Sequence, residues 1–391
     1  MRIFENAKLV LPDRVCNQGW LGVEHGKIAA VGEGIAPFYP QDERVDCAGR
    51  YLAPGFIDIH THGAGGHDFM DGTVEAVVEA ARTHLRHGTT SLLPTTLTSS
   101  DGDLFTTIDC FHQARRMKER MPHLMGLHLE GPYFCQAEKG AQDSRYLRAP
   151  QPEHYMRILE YAQGSIARWS LAPELPGALE MADRLVPLGI VLSAGHTAAT
   201  YEEMSAAYDH GVRHLTHFYS GMSTIVRRGG FRILGVVESG YLIDGLSVEL
   251  IADGMHLPPP LLKMILKCKE HPKICLCTDS MRGAGMPDGP SVLGSLKDGQ
   301  QVVIEDGIAK MPDRTCFAGS VATADRLVRV MAREAGVPLW EAVRMMTLNP
   351  ARVMGWEARK GALREGMDAD LVLLNDDITV AGVYVLGQAA A

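Results

Sequence analysis

The chain has 391 residues, 46% of them hydrophobic and 22% charged, which is enough to enclose a large core and long enough for one barrel plus a smaller module. A formal net charge of -9 with no lysine–arginine cluster argues against a nucleic-acid partner, because phosphate backbones are bound by a basic footprint. The eight cysteines, at 16, 47, 110, 135, 268, 275, 277 and 316, lack the paired short spacings of a structural zinc site or a compact disulfide framework, and Cys275 and Cys277 read as small buried apolar residues.

The opening Met1-Arg2-Ile3-Phe4-Glu5-Asn6-Ala7 has no apolar core of the length a signal peptide needs, and no later run is long enough to span a bilayer. A cytoplasmic protein with no membrane partner is expected. Residues 1–52 alternate as short strands around the turn signals His25-Gly26-Lys27 and Gly32-Glu33-Gly34. Eight apolar runs follow, near 55–60, 89–95, 124–130, 167–172, 189–195, 212–217, 247–252 and 274–279. Helical patterns lie between them over 74–87, 152–162, 178–188, 201–209 and 259–269, the last with proline at its start, where a missing N–H costs nothing. Strand and helix in alternation predict an α/β protein with a parallel sheet closed by helices, a (β/α)8 TIM-like barrel. A β-like stretch at 301–310 predicts a hairpin inserted near 289–317, and residues 368–385 add two strands with no helix between them. The expected organisation is a barrel over 53–349 and a small β-sandwich built from 1–52 and 350–391.

Five of the barrel runs end in residues that bind a hard or borderline metal: His60 and His62, Glu130, His196, His217 and Asp279. Residues two apart on a strand point to the same side, so His60 and His62 can converge on one ion. In a barrel of this type the C-terminal strand ends meet at one site, so ligands separated by dozens of residues can share it. One histidine at a strand end is more often a satisfied core residue than a ligand, but their recurrence on successive strands changes those odds. His128 points to the same side as Glu130 one layer deeper and reads as a packing or supporting residue, and His214 faces away from His217 and reads as structural. Nitrogen and oxygen donors suit zinc, iron or manganese alike. Such an ion acidifies water and polarises a carbonyl, the requirements of amide hydrolysis, with Asp279 taking a proton from the water and delivering it to the departing amine.

The segments Ala53-Pro54-Gly55-Phe56-Ile57-Asp58-Ile59-His60-Thr61-His62-Gly63, His128-Leu129-Glu130-Gly131-Pro132-Tyr133, Ser193-Ala194-Gly195-His196-Thr197, Thr216-His217-Phe218-Tyr219, Ile251-Ala252-Asp253-Gly254-Met255-His256, Thr278-Asp279 and Ala318-Gly319-Ser320 resemble, in order and spacing, the N-acetylglucosamine-6-phosphate deacetylases of the amidohydrolase superfamily. The resemblance runs over nearly the whole chain. It implies that Glu130, His196 and His217 bind the principal divalent metal, that Asp279 is the catalytic acid/base, and that His60 and His62 add a second ion, giving one or two per subunit. It implies a homodimer in which Arg228 reaches across the interface to the substrate phosphate, with backbone N–H groups near Ser220 and Gly221 also holding it. His256 is implied to contact the sugar, and Gln142, Ala141, Phe317, Ala318 and Gly319 to complete the pocket for a small amino-sugar phosphate. Three departures stand out. Ser220-Gly221 replaces an Asn-Ala pair, Gln142 replaces a histidine that helps polarise the acetyl carbonyl, and Arg227-Arg228-Gly229-Gly230 replaces an Arg-Glu-Pro-Gly motif. The implied reaction releases acetate from N-acetylglucosamine 6-phosphate, with the galactosamine epimer, another amidohydrolase reaction, and a catalytically dead binding scaffold as the alternatives.

Overall fold

The computed structural model of the chain describes residues 1–117 and 120–391. Eight strands pair in parallel around its centre: Phe56–Thr61, Thr89–Thr96, Leu127–Glu130, Ile166–Leu171, Val191–Ala194, His214–Leu215, Ser247–Leu250 and Ile274–Leu276. Past the eighth strand the ring returns to the first, where the Asp279 N–H donates to the His60 carbonyl and the His62 N–H to the Ser280 carbonyl, each at 2.9 Å. The strands read as continuous apolar or β-branched runs because both faces are covered; Thr89–Thr96 is buried at every position.

Helices lie between the strands, and their starts follow the local chemistry. Thr73 caps Val74–Arg86 by accepting from the Ala76 N–H, and Thr200 with Glu203 forms a reciprocal capping box on Tyr201–Asp209. Pro152–Ala162 and Pro259–Cys268 carry proline in the first turn. The outer core joins strand residues Phe56, Trp169, Leu192 and Val248 to helix residues Val77, Phe111, Ile158, Met181 and Leu262. A smaller cluster of Ile57, Ile59, Leu93 and Ala351 packs the first two strands against the helix Leu348–Val353. That helix runs across the boundary expected at 349/350.

The termini meet in one eight-stranded sheet built from residues 2–54 and 371–389. Phe4 and Tyr384 lie three strands apart in it yet touch edge to face with ring centroids 4.8 Å apart, so the sheet curls back over its own core of Phe4, Leu21, Ile28, Leu52 and Leu371. The insertion is a three-stranded antiparallel sheet, Gly289–Leu293, Gln300–Glu305 and Ile308–Lys310, packed on Met281 and Ala318 beside the barrel mouth. A separate exposed hairpin pairs Val226–Arg228 with Phe231–Ile233. Among the described residues no helix is long and apolar enough to cross a membrane.

Candidate metal centre

Each ligand candidate sits at or just past the end of a barrel strand, and three of them leave strand geometry there. His196, His217 and Asp279 have φ of 48°, 28° and 44°, a left-handed region that a residue with a Cβ enters at a cost of about 1–3 kcal/mol. Neighbouring backbone holds them in it: the Cys135 N–H donates to the His196 carbonyl at 2.9 Å, and the Ser320 N–H to the Asp279 carbonyl at 2.8 Å. The result is that five strands aim their terminal side chains into one mouth.

The donors fall into two sets, Glu130 with His196 and His217, and His60 with His62 and Asp279; within each, the donor atoms lie within 4.8 Å of one another. The Nε2 atoms of His196 and His217 are 3.1 Å apart, and those of His60 and His62 are 3.3 Å apart. Glu130 spans the two sets, with Oε1 2.9 Å from His217 Nε2 and 3.3 Å from His196 Nε2, and Oε2 3.3 Å from His62 Nε2. Asp279 Oδ1 is 3.1 Å from His62 Nε2 and 3.3 Å from His60 Nε2. A tetrahedral ion with bonds of about 2.0–2.1 Å separates its donors by about 3.3 Å, so the donor set fits one divalent cation on each side of Glu130. His196 Nδ1 contacts the Glu138 carbonyl at 2.9 Å and His60 Nδ1 contacts Glu249 at 2.8 Å, while Nδ1 of His62 and of His217 is buried with no hydrogen-bond partner among the described residues.

Charge favours the same reading. Burial alone would raise the Glu130 and Asp279 carboxyls, but the surrounding imidazoles, His60 foremost, hold both below the usual carboxylate range. Burial disfavours a charged His62, yet Asp279 and Glu130 raise it to about 9. The carboxylates therefore draw positive charge onto the cluster, a demand that a divalent cation satisfies with loss of the imidazole protons.

The cavity above is lined by His62, Glu130, Ala141, Gln142, His196, His217, Ser220, Gly221, His256, Asp279, Phe317 and Gly319. Gly221, at φ 56°, passes so close that a Cβ would lie 2.9 Å from both the Glu138 carbonyl oxygen and His196 Nδ1, so only glycine fits. His256 Nδ1 is held by Asp253 Oδ2 at 2.9 Å, which leaves Nε2 for a ligand, and its ring meets the edge of Phe317. Gln142 lines the cavity, donating one Nε2 hydrogen to Glu130 Oε2 at 2.7 Å and accepting at Oε1 from the Thr98 N–H at 2.9 Å. Two expectations need correction, those for the Ser220 N–H and for Ala318. The Ser220 N–H is already spent on the His217 carbonyl at 2.9 Å, leaving only the hydroxyl for a ligand. Ala318 is buried behind the wall, its N–H donated to Ala309. Arg228 is exposed on the hairpin and does not line the cavity of its own chain, so it could serve a phosphate only in a second copy.

His128 supports from below, with Nε2 2.7 Å from Ser170 Oγ and its ring edge-on to His60. His214 is buried, 2.7 Å from Ser247 Oγ and 3.2 Å from Glu249. Glu249 and Arg168 escaped the reading of the sequence. Their signal was there, a single charge inside an apolar run in Ser247-Val248-Glu249-Leu250 and in Ala167-Arg168-Trp169-Ser170.

The family model described as Amidohydrolase family matches residues 51–390. The chain belongs to the amidohydrolase family. Among curated amidohydrolase relatives, it is 32% identical to an N-acetylgalactosamine-6-phosphate deacetylase of Escherichia coli O157:H7 over 96% of each chain. It is also 32% identical to an N-acetylglucosamine-6-phosphate deacetylase of Bacillus subtilis (strain 168), over 99% of this chain and 96% of the relative. Among solved structures, N-acetylglucosamine-6-phosphate deacetylase from Pasteurella multocida superposes with a TM-score of 0.91 at 30% identity, covering 100% of this chain and 99% of the other.

Proposed function

We propose that this amidohydrolase removes the acetyl group of N-acetylglucosamine 6-phosphate, giving glucosamine 6-phosphate and acetate. The observation that carries the reading is the paired donor cluster with Asp279 on its rim, opening into a cavity floored by Glu130. In this reading Glu130, His196 and His217 would hold one divalent ion, and His60 and His62, beside Asp279, would hold a second; zinc, iron and manganese all suit these donors. What such an ion supplies when bound is a more acidic water and a polarised acetamide carbonyl.

The protein's own groups do the rest. Asp279 accepts the proton of the attacking water and returns it to the departing nitrogen, so the C–N bond breaks toward a neutral amine while the carbonyl carbon keeps the water's oxygen. His256, oriented by Asp253, offers Nε2 to a sugar hydroxyl. Gln142 keeps Glu130 turned toward both ion positions. The phosphate is held by Arg228 from the hairpin of a second copy of the chain together with the Ser220 hydroxyl, which makes the working unit a homodimer. A dianionic substrate is retained by a bilayer within the compartment that makes it, which fits the cytoplasmic reaction we propose.

A relative from Mycobacterium smegmatis, 30% identical with a TM-score of 0.90, has been solved as an aspartate-to-alanine mutant in complex with N-acetyl-D-glucosamine-6-phosphate, which supports the substrate. The equally similar galactosamine-type relative makes the 4-hydroxyl the point to test. Acetate release from the two epimeric 6-phosphates should give the larger kcat/KM for the gluco form, since a site that hydrogen-bonds one hydroxyl leaves polar groups unpaired against its epimer. A preference for the galacto form would overturn the substrate assignment, and no acetate from either would overturn the deacetylase.

A further inference from the structure

Beneath the donor cluster lies a second buried group of charges that does not line the cavity. Glu249, on the seventh barrel strand, and Arg168, on the fourth, both have 0% exposure. Glu249 Oε1 is 2.8 Å from His60 Nδ1; its Oε2 accepts from the Arg168 guanidinium and lies 3.2 Å from His214 Nε2. Arg168 also donates, at 3.1 Å each, to Ser193 Oγ, Thr216 Oγ1 and the Ile59 carbonyl, the last on the same strand as His60. Arg168 and His214 thus hold Oε2 of Glu249 while Oε1 faces His60, with the neutral Cys277 thiol beside it.

That contact selects a tautomer. A carboxylate only accepts, so Glu249 keeps a proton on His60 Nδ1 and leaves Nε2, which faces His62, Glu130 and Asp279, as the nitrogen that would hold an ion. The partner histidine has no such hold, since His62 Nδ1 is buried without a hydrogen-bond partner among the described residues. The two ion positions are built alike, each with one histidine clamped and one not. The clamp at His196 is a neutral carbonyl, and the clamp at His60 is a charged side chain. Stability does not explain that charge, because apolar residues of the same volume commonly replace a buried ion pair at no loss. Nor does a third ion, although His60, Glu249 and Cys277 place donors within 4.8 Å of one another. The guanidinium of Arg168 already occupies the carboxylate and would repel a cation.

We propose that Glu249, held by Arg168, is a positioning residue that builds the His60/His62 ion site by fixing the tautomer and rotation of His60. The inference rests on the two-ion reading above and goes beyond it by naming what makes the second position bind. The test counts zinc by elemental analysis on the full chain dialysed against stepped concentrations of free Zn2+, for the wild type, Glu249→Gln, the charge-free pair Glu249→Leu with Arg168→Met, and His60→Ala. The wild type should fill in two steps, and His60→Ala should lose the weaker one. Glu249→Gln should move that step to about 10–100-fold higher free zinc and leave the other in place, and the double variant, which strands no charge if the single one folds poorly, should move it at least as far. Two unmoved steps in both Glu249 variants, or equal shifts in both steps, would leave Glu249 a structural residue and overturn the proposal alone. A single wild-type step that survives His60→Ala would overturn the two-ion reading and the proposal with it.

Discussion

Asp279 carries three roles in one side chain: its backbone turns left-handed at the end of the eighth strand, its carboxylate faces His60 and His62, and it lines the cavity. Asparagine keeps the shape and removes the ability to take or return a proton. Asp279→Asn should therefore keep its fold and bound metal while kcat falls about 10²–10⁴-fold, read from acetate release alongside elemental analysis. Activity within about tenfold of the wild type would remove Asp279 from proton transfer. Gln142 shows how a residue can lie in the right place for a different task. Its amide accepts from the Thr98 N–H and donates to Glu130, so it orients a ligand as well as lining the cavity.

At the scale of an element, the hairpin of Val226–Arg228 and Phe231–Ile233 is exposed at every strand residue but Ile233. It puts Arg227, Arg228, Phe231 and Arg232 outside the core with no strand or helix over them among the described residues. Such a projection suits a dimer in which each hairpin completes the other copy's phosphate site. Loss of a charge-assisted contact to phosphate costs about 1.5–3 kcal/mol, so Arg228→Ala should raise KM for the 6-phosphate about ten- to a hundredfold with little change in kcat. Unphosphorylated acetamido sugar should respond equally to variant and wild type in the same assay. Equal losses on both substrates would place Arg228 outside the phosphate site.

Across the whole molecule, the terminal sheet is anchored by ion pairs as well as by its core. Asp368 is buried, with Lys27 Nζ at 2.6 Å and Arg359 Nε and Lys360 Nζ each at 3.1 Å. Burial alone would raise its carboxyl, but Lys27, Lys360 and Arg359 outweigh it and bring the pKa to about 2. The folded value lies below the unfolded value of about 3.9, so the contribution, about 2 kcal/mol, is fully present above the unfolded pKa and is lost as pH falls through the folded one. Asp368→Asn should lower the thermal midpoint at neutral pH, and its gap to the wild type should shrink between about pH 5 and pH 2. A gap that stays constant over that range would show that the carboxylate's charge is not what stabilises the sheet.

The eight barrel strands were legible in the chain because each is a short apolar run, and so were five of the helices, several of which begin at a threonine or proline with a physical reason to be there, whereas Asp101–Arg115 and Val236–Leu242 were not foreseen. The ligand types were legible as well, since His60, His62, Glu130, His196, His217 and Asp279 all follow such runs. The sixth and eighth strands stop earlier than their apolar runs, at Leu215 and Leu276, because the next residues turn left-handed to aim His217 and Asp279, and periodicity is blind to that turn. Only the tertiary structure decided which atoms meet. Gln142 reaches Glu130 across 12 residues, Glu249 reaches His60 across 189, and Phe4 reaches Tyr384 only because the terminal sheet curls. A hydrogen bond depends on position in space to a few tenths of an ångström, whereas a sequence pattern specifies which face a side chain shares and leaves its partner open until the barrel closes.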